Sequence, residues 1–268
     1  MTYIIKGDGS KEKYDEKKLA KSLKRAGADK HTIEQIKALV RKKIYNGMTT
    51  KELFGLAFRE FRKLQPIVAP KYDLKGALYR FGRSGFPFEA LIERILVFQG
   101  FECRRNVTSH GKAVTHEIDV KAKKGSQVLM VECKHKSKEH LTIHIQTPLY
   151  VYARFLDVKK EFTKPMLATN TKFSGHSTRY AKSVGLRLLG WSYPKDDSLQ
   201  SNIEKYKAYP ITMLRGITPD LLERCIKKEV LLLSDIHGKS PEQLATLLGI
   251  AFQKAKKIAE QCKVCELK

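Results

Sequence analysis

Two apolar runs joined by a short glycine-containing segment constrain the fold of this chain more than any other feature. The runs cover residues 114–122 and 127–134, and the residues between them are Lys-Lys-Gly-Ser. Aliphatic and β-branched residues on both sides of a glycine turn predict a β-hairpin, here with a connection longer than a tight two-residue turn. The hairpin would bring Asp119 of the first run close to Glu132 of the second.

Alternation along the second run places a lysine beside Glu132. Successive side chains of a strand point to opposite faces, so Glu132 and Lys134 share one face and Cys133 lies on the other. Carboxylates are hard oxygen ligands that suit Mg²⁺ or Mn²⁺, and a nearby lysine can hold an attacking water or a phosphate charge. The alternative is that all these residues are solvated strand charges. We predict that Asp119 and Glu132 bind the metal and that Lys134 completes the catalytic set.

This arrangement resembles the PD-(D/E)xK nuclease superfamily, and within it the Mrr-like restriction endonucleases, over about residues 86–191. The resemblance implies Mg²⁺-dependent hydrolysis of DNA phosphodiester bonds by the two acids and the lysine. It also implies assisting roles for Glu89, on a helix ahead of the first strand, and for Gln146. Gln146 opens a Q-x-x-x-Y pattern that ends at Tyr150.

Two positions depart from the pattern of that family. Glu117 is a further acid two residues before Asp119, and Pro148 lies inside the Q-x-x-x-Y segment. Proline lacks an N–H and fits best in the first turn of a helix. A helix is therefore predicted to start near Thr147.

The first 83 residues have the pattern of a small helical domain with a β-hairpin cap. The hairpin is predicted over residues 3–14, and apolar residues at helical spacing predict four helices after it. Thr49 and Glu52 form a capping box at the start of the third helix. The segments I-I-K-G-D-G, K-Y-D-E-K-K-L and M-T-T-K-E-L resemble the ATP-cone, the nucleotide-sensing module of ribonucleotide reductases and their repressors.

By this resemblance, residues beside the hairpin bind ATP or dATP as an effector. Lys6 and Lys18 would neutralise the phosphates, and Glu12 and Asp15 would lie near the nucleotide. The alternative is that these lysines are merely solvated beside a turn. No G-x-x-x-x-G-K-[ST] motif occurs in the chain, so a P-loop motor is not predicted.

The segment beyond the polar stretch 194–201 is predicted to be helical. Thr218 and Pro219 start a helix that runs to about Leu233, and shorter helices surround Gly238 and follow Gly249. The pattern resembles a helix-hairpin-helix domain, in which backbone amides at a glycine turn hold DNA phosphates. Basic residues that could add phosphate contacts are Lys254, Lys256 and Lys257. A small packing or dimerisation domain is the alternative.

The charge of the chain favours a polyanionic partner. Its 268 residues include 52 Lys and Arg against 28 Asp and Glu, a formal net charge of +24. Counterion release makes such a surplus favourable for nucleic acid, although an anionic membrane surface would attract it too. No apolar run reaches about 18 residues, so no membrane span is predicted. The five cysteines are scattered, which indicates no disulfide framework and fits the cytoplasm.

We therefore predict a multidomain α+β protein. It would comprise an ATP-cone at 1–84, a restriction endonuclease-like α/β mixed sheet with the order α-β-β-β-α-β-α-β at 85–196, and a small helical domain at 204–268. The expected function is that of a nucleotide-regulated, Mg²⁺-dependent endonuclease of restriction or repair type, acting on double-stranded DNA as a homodimer. The alternatives are a non-catalytic, nucleotide-responsive DNA-binding regulator and a structure-specific repair nuclease or resolvase.

Overall fold

The computed structural model of the protein describes residues 2–66, 68–82, 84–139 and 141–266. By packing, the chain divides into two compact units. One comprises Met1–Gly76, Met213–Thr218 and Ile236–Lys268, and the other comprises Ala77–Thr212 and Pro219–Asp235. The second unit thus includes two stretches from the predicted C-terminal domain, residues 204–212 and 219–235. The predicted domain boundaries near residues 84 and 204 rest on the sequence and stay predictions.

The N-terminal segment forms the predicted hairpin and helices. Its elements are β1 (Tyr3–Ile5), β2 (Lys11–Lys13), α1 (Glu16–Arg25), α2 (Lys30–Lys43), β3 (Met48–Thr49), α3 (Thr50–Leu64) and α4 (Leu74–Tyr79). The strands form one sheet in the order β2-β1-β3, with β1 antiparallel to β2 and parallel to β3. Helices α1, α2 and α3 bury one face each in a shared core that includes Leu23, Ile36, Val40 and Phe61.

Side-chain caps set where these helices begin. At the start of α1, Asp15 accepts a hydrogen bond from the backbone N–H of Lys17 at 2.8 Å. The predicted capping box of α3 is present: the Glu52 N–H donates to Thr49 Oγ1 at 3.1 Å, and the Thr49 N–H donates to Glu52 Oε2 at 2.8 Å. Each such cap stabilises its helix by about 1 kcal/mol. The fourth helix, which the sequence predicts over about residues 72–81, starts later because a 3₁₀ turn occupies Ala69–Asp73.

The central region forms a five-stranded mixed sheet. Its elements are α5 (Phe86–Phe98), β4 (Glu102–His110), β5 (Thr115–Lys124), β6 (Gln127–Lys134), β7 (Thr142–Ile143), α6 (Gln146–Asp157), β8 (Lys164–Thr169), β9 (Lys172–Phe173), α7 (Gly175–Val184) and β10 (Arg187–Leu189). The sheet order is β10-β8-β6-β5-β4, with antiparallel neighbours from β4 to β6 and parallel neighbours from β6 to β10. Strands β7 and β9 pair separately. The predicted fold class is confirmed, with these two short strands in addition.

Helices cover this sheet and bury its apolar side chains. Met130 of β6 and Leu167 of β8 share one cluster with Val151 and Phe155 of α6. Helix α5 packs against β4, β5 and β6. Each large apolar side chain withdrawn from water in this way contributes about 1.5–3 kcal/mol. The sheet and α6 therefore form a rigid frame for any polar residue placed between them.

The connection between β5 and β6 is tighter than predicted. Lys124 pairs with Gln127, so only Gly125 and Ser126 lie between the strands. Lys123, predicted to be part of the turn, extends β5 together with Lys124, because exposed lysines do not interrupt a strand whose other residues are buried. Gly125 has a φ of +58°, a left-handed conformation that a two-residue turn requires and that glycine adopts without steric cost.

The remaining helices are α8 (Leu199–Lys205), α9 (Pro219–Lys227), α10 (Pro241–Leu248) and α11 (Phe252–Glu266). Helix α9 begins at Pro219 as predicted but ends before Leu233, because Glu229 takes a left-handed φ of 55° and the Val230 N–H returns to the Cys225 carbonyl at 2.9 Å. Whether this segment acts as a helix-hairpin-helix stays a prediction. Among the described residues, no helix combines the length and apolarity that crossing a membrane would require.

Candidate functional site

Asp119 lies just beyond the last regular pair of the β5–β6 hairpin. That pair is Val120 with Val131, so Asp119 and Glu132 are the next residues of their two strands. Instead of a backbone pair, the Asp119 carboxylate fills the gap: its Oδ2 accepts a hydrogen bond from the Cys133 N–H at 2.6 Å. The side chain predicted to bind metal thus also holds the ends of the two strands together.

The pairing of β5 with β4 is also interrupted at this point. The register leaves out Asn106 and Asp119, which would otherwise face each other. Asn106 has a φ of +52°, a left-handed conformation that asparagine tolerates better than most residues. The sheet is therefore irregular on both sides of Asp119. Such local irregularities are often found where a strand must turn a functional side chain out of its regular position.

Glu132 is buried between two cations. Its side chain is 4% exposed, Lys134 Nζ lies 2.5 Å from its Oε1, and Arg154 Nη1 donates a hydrogen bond to its Oε2. Lys134 belongs to the same face of β6, whereas Arg154 comes from α6. Burial alone would lower the pKa of Lys134, but its hydrogen bond to Glu132 and the charge of Glu132 together raise that pKa. Lys134 is therefore a cation at neutral pH.

Two further carboxyl groups in this region have raised pKa values. Burial, and then the charge of Glu132, raises the pKa of Asp119 to about 6. Glu89 lies in the first turn of α5, where burial, and then the charge of Asp119, raises its pKa to about 7. Like charges disfavour each other's ionised form only at short range. Glu89, Asp119 and Glu132 therefore share one electrostatic environment, as expected for a common site.

The Q-x-x-x-Y segment forms the first turns of α6. Gln146 is the first residue of the helix, and Pro148 is third, where its missing N–H leaves no intrahelical bond unmade. Gln146 and Tyr150 are exposed, and the Tyr150 ring centroid lies 5.4 Å from Cζ of Arg154. Arg154 is not among the site residues predicted from the sequence. Its spacing was a usable signal, because Gln146, Tyr150 and Arg154 follow one another at intervals of four residues along one helix face.

The donor set fits a divalent metal ion of the Mg²⁺ class. No three His, Cys, Asp or Glu side chains in the described ranges are already grouped to hold a metal. Mg²⁺ does not need them, since it commonly uses one or two carboxylates and completes its shell with water and phosphate oxygens. A cation beside Asp119 and Glu89 would relieve the repulsion that raises their pKa values. Both oxygens of Glu132 already meet a cation, so one contact must be released.

The predicted nucleotide-binding residues form a second ionic group in the other unit. Glu12 pairs with Lys6 Nζ at 2.9 Å and also with Lys18. The hydrogen bonds from Lys18 and then Lys6 lower the pKa of Glu12. Asp15 caps α1 directly beside this group. The structure therefore brings all four predicted residues together at the base of the hairpin.

A cavity of about 190 Å³ lies beside this ionic group. Glu12, Asp15 and Lys18 line it, but Lys6 does not. Its opposite wall includes Phe54 and Tyr72, whose rings stack with their centroids 4.9 Å apart. A cavity of this size is smaller than usual ligand pockets of about 300–1,000 Å³. It fits part of a nucleotide, with an aromatic wall suited to a base and lysines suited to phosphates.

Comparison with known proteins identifies a domain family for the N-terminal region and another for the central region. Residues 2–65 match the ATP cone domain, and residues 83–190 match the restriction endonuclease domain. An uncharacterized protein of Archaeoglobus fulgidus is 37% identical over 171 residues, which make up 63% of this chain and 97% of the relative. A crystal structure of a protein of unknown function has a TM-score of 0.60 and 34% identity, over 67% of this chain and 97% of its own.

The MspJI restriction endonuclease in complex with a 27-mer oligonucleotide is a more distant structural neighbour. It is 16% identical and has a TM-score of 0.39, over 74% of this chain and 44% of its own. The mixed sheet and the two domain matches define the class, that of restriction endonuclease-like proteins with a nucleotide-binding module. This chain belongs to the same family as the Archaeoglobus fulgidus protein, and it contains an ATP cone domain and a restriction endonuclease domain.

Proposed function

We propose that this protein is a metal-dependent DNA endonuclease regulated by ATP or dATP. The observation that carries the proposal is the grouping of Asp119, Glu132 and Lys134 in a restriction endonuclease domain, with Glu89 in electrostatic reach. Three acids and one lysine in a partly buried site can bind a metal ion and a phosphate together. Isolated solvated strand charges would not shift each other's pKa values in this way.

Each residue has a separate task in the proposed reaction. Asp119 and Glu132 would hold Mg²⁺ or Mn²⁺, which when bound stabilises charge on a phosphoryl oxygen and lowers the pKa of a water molecule. Lys134 is protonated and exposed enough to donate hydrogen bonds to the attacking water or to a phosphate oxygen. Glu89, with a pKa of about 7, can accept a proton at neutral pH. Gln146 would donate amide hydrogen bonds to the substrate from the start of α6.

Double-stranded DNA is the proposed substrate, and a homodimer is the proposed assembly. The net charge of +24 supports binding to a polyanion such as DNA, whatever the base sequence of the DNA. Turns at Gly238 and Gly249, each with a left-handed φ, precede α10 and α11 and support the proposal that these helices hold phosphates. Cleavage of both strands by one site per chain calls for two copies. Sedimentation of the DNA-bound protein as a dimer is the expected result.

The catalytic half is tested by cleavage of supercoiled plasmid with Mg²⁺ or Mn²⁺. Asp119→Asn and Lys134→Met should each reduce the cleavage rate by about 10²–10³-fold, since each removes a charge that acts on the reacting phosphate. Glu102→Gln is the matched control, because Glu102 is an exposed acid at the start of β4 and pairs with Lys123 at the turn end of β5. This variant should cut at nearly the wild-type rate. Glu132→Ala is a poorer test because it leaves the Arg154 guanidinium buried without its carboxylate.

Two results would redirect the proposal. If wild-type protein binds plasmid tightly but cuts neither unmethylated nor methylated DNA, the result would favour the function of a DNA-binding regulator. Cleavage confined to branched or damaged duplexes would instead assign the same chemistry to a repair nuclease or resolvase.

The regulatory half is tested by titrating dATP and ATP into the full-length protein. Lys18→Ala should weaken binding by about tenfold or more, because Lys18 is an exposed cation that lines the cavity and pairs with Glu12. Lys24→Ala, in the last turn of the same helix, is the control and should bind like wild type. If ATP or dATP binds the wild-type protein but leaves the plasmid cleavage rate unchanged, the nucleotide is bound without regulating cleavage. This result would contradict the proposed regulation.

A further inference from the structure

Arg154 makes three contacts around Glu132 that no sequence motif predicts. Its Nη1 donates to Glu132 Oε2, and its Nη2 donates to the backbone carbonyl oxygen of Glu117. Its Cζ lies 5.4 Å from the centroid of the Tyr150 ring, one helical turn earlier on α6. The guanidinium therefore connects β5, β6 and α6 at the place where the proposed metal ligands meet.

The burial of Arg154 indicates a purpose beyond general packing. Its side chain is 11% exposed, and its Nε is buried with no hydrogen-bond partner in the described part of the chain. A buried donor without a partner is unfavourable, and native structures contain few of them. A leucine or methionine would fill the same space without this penalty. An arginine at this position is instead explained by the two hydrogen bonds of its Nη groups, one to Glu132 and one to the backbone of β5.

The two cations on Glu132 differ in how easily they can leave it. Lys134 contacts Glu132 through one flexible ammonium group and is 38% exposed. Arg154 is fixed by two hydrogen bonds to different strands and by the Tyr150 ring, and it is largely buried. Moving Arg154 would leave an unpaired buried charge, whereas Lys134 can move into water or onto a phosphate. When one oxygen of Glu132 is released for a metal ion, it is therefore Oε1.

We infer that Arg154 is a positioning residue of the proposed metal site: it holds Glu132 by Oε2 against β5 and so orients Oε1 for a divalent cation. This inference rests on the proposed function, because it concerns the same carboxylate. A planar guanidinium suits the role, since its fork donates two bonds in fixed directions while an ammonium group does not. Groups that orient a metal ligand in this way typically affect metal affinity by about 10–100-fold.

The test is calorimetric titration of Mn²⁺ into the full-length protein without DNA, comparing wild type with Arg154→Lys and Arg154→Met. The lysine variant keeps the charge but loses the fork, and the methionine variant loses both. A positioning role predicts that both variants bind Mn²⁺ about 10–100-fold more weakly than wild type. If the methionine variant binds more tightly and the lysine variant like wild type, the guanidinium competes with the ion and the inference is overturned. Equal affinity in all three proteins also overturns it.

Tyr150→Leu gives a second measurement that leaves the buried carboxylate untouched. Tyr150 is 54% exposed, so its replacement should fold normally even if Arg154→Met does not. Loss of the ring beneath the guanidinium should weaken Mn²⁺ binding by about two- to fivefold. Leu149→Ala, at an exposed neighbouring position of α6, is the matched control and should bind like wild type. Unchanged affinity in Tyr150→Leu together with Arg154→Lys would contradict the inference.

Failure of this inference and failure of the proposed function give different results. Wild-type protein that binds no Mn²⁺ contradicts the metal site itself, and the inference falls with it. If wild type binds Mn²⁺ and cuts DNA, and the Arg154 variants bind Mn²⁺ with the same affinity, only the proposed role of Arg154 is contradicted. Plasmid cleavage at saturating Mn²⁺ adds a check, because a residue that only orients a ligand should lose less rate there than at low Mn²⁺.

Discussion

The two ionic groups of this protein have the same arrangement but differ in their exposure to water. In each, one glutamate lies between two basic side chains: Glu12 between Lys6 and Lys18, and Glu132 between Lys134 and Arg154. The side chain of Glu12 is 28% exposed and Lys18 is 66% exposed, whereas Glu132 is 4% exposed. Water can replace either partner in the first group, whereas in the second group the largely buried Arg154 cannot be replaced in this way. Burial therefore decides which group the fold depends on.

The difference in burial suits the exposed group to ligand binding and the buried group to stabilising the fold. Exposed ion pairs contribute little to stability because water and salt screen them, so lysines in such pairs can be redirected to an incoming phosphate. A buried pair broken by the loss of one partner is strongly destabilising, because the other charge stays in a medium of low polarity. The ATP cone group is thus suited to sensing a ligand, and the nuclease group keeps its geometry before any ligand arrives.

The largest expected effect compares removal of the central glutamate from each group. Glu132→Ala should lower the free energy of unfolding by about 3–5 kcal/mol, because it leaves Arg154 buried without its carboxylate. Glu12→Ala should leave the urea midpoint nearly unchanged, because Glu12 and both lysines are in contact with water. Urea unfolding of the full-length proteins, followed by tryptophan fluorescence and by circular dichroism, measures both variants.

The double variant Glu132→Leu with Arg154→Leu sharpens this comparison. It removes both buried charges and should recover much of the stability lost in Glu132→Ala, since an apolar pair avoids the unpaired ion. Equal destabilisation by Glu12→Ala and Glu132→Ala would show that burial does not distinguish the two groups.

A second effect is a loss of stability with rising pH that comes from the nuclease group. The pKa of Asp119 is raised to about 6 in the folded protein, so the folded state binds this proton more tightly than the unfolded state does. The resulting stabilisation is complete below pH of about 4 and is lost as the pH rises through about 6. Its size is on the order of 2 kcal/mol after an allowance for partial exposure.

Urea unfolding between pH 4 and pH 8 measures this effect as a difference between wild type and Asp119→Asn. Wild type should lose more stability over this range than the variant, in which position 119 has no proton to release. Glu89, with its pKa raised to about 7, should add to the same trend. Parallel pH profiles for wild type and Asp119→Asn would contradict the assigned shift. Glu102→Gln, at an exposed acid of β4, is the control and should follow wild type.

The smallest expected effect concerns the backbone opposite Asp119. Asn106 has a φ of +52°, so Asn106→Val should cost about 1–2 kcal/mol and Asn106→Gly should be nearly neutral or stabilising. Thermal unfolding measures the difference between the two variants. A valine as stable as asparagine would mean that β4 can adopt regular pairing with β5. In that case the Mn²⁺ affinity of the valine variant shows whether the irregularity matters for the site.

Much of the site followed from the sequence because it depends on local rules. The alternation of β6 places Glu132 and Lys134 on one face whatever surrounds the strand. Hairpin formation by two apolar runs brings Asp119 to the same end of the strands. Arg154 could not be assigned, because it lies 22 residues from Glu132 and reaches it only through the packing of α6 on the sheet. A contact between distant elements leaves only a weak trace in local spacing.

The fold shows the same division between local and distant causes. The capping box at Thr49 and the starts of α1 and α9 depend on neighbouring residues and were predictable. The length of the β5–β6 turn was not, because Lys123 and Lys124 suit either a turn or an exposed strand end. In the structure, Lys124 pairs with Gln127 across a tight turn at Gly125, so both lysines belong to the strand.

By itself, the sequence determined the chemical groups and their strand and helix positions, since periodicity and capping act over a few residues. Only the tertiary structure decided how those groups are charged and held. Burial separates the enclosed Glu132 group from the exposed Glu12 group, and it raises the pKa values of Asp119 and Glu89. The physical reason is that the free energy of a charge depends on every polar group and water molecule around it, and these are set by residues far apart in the chain.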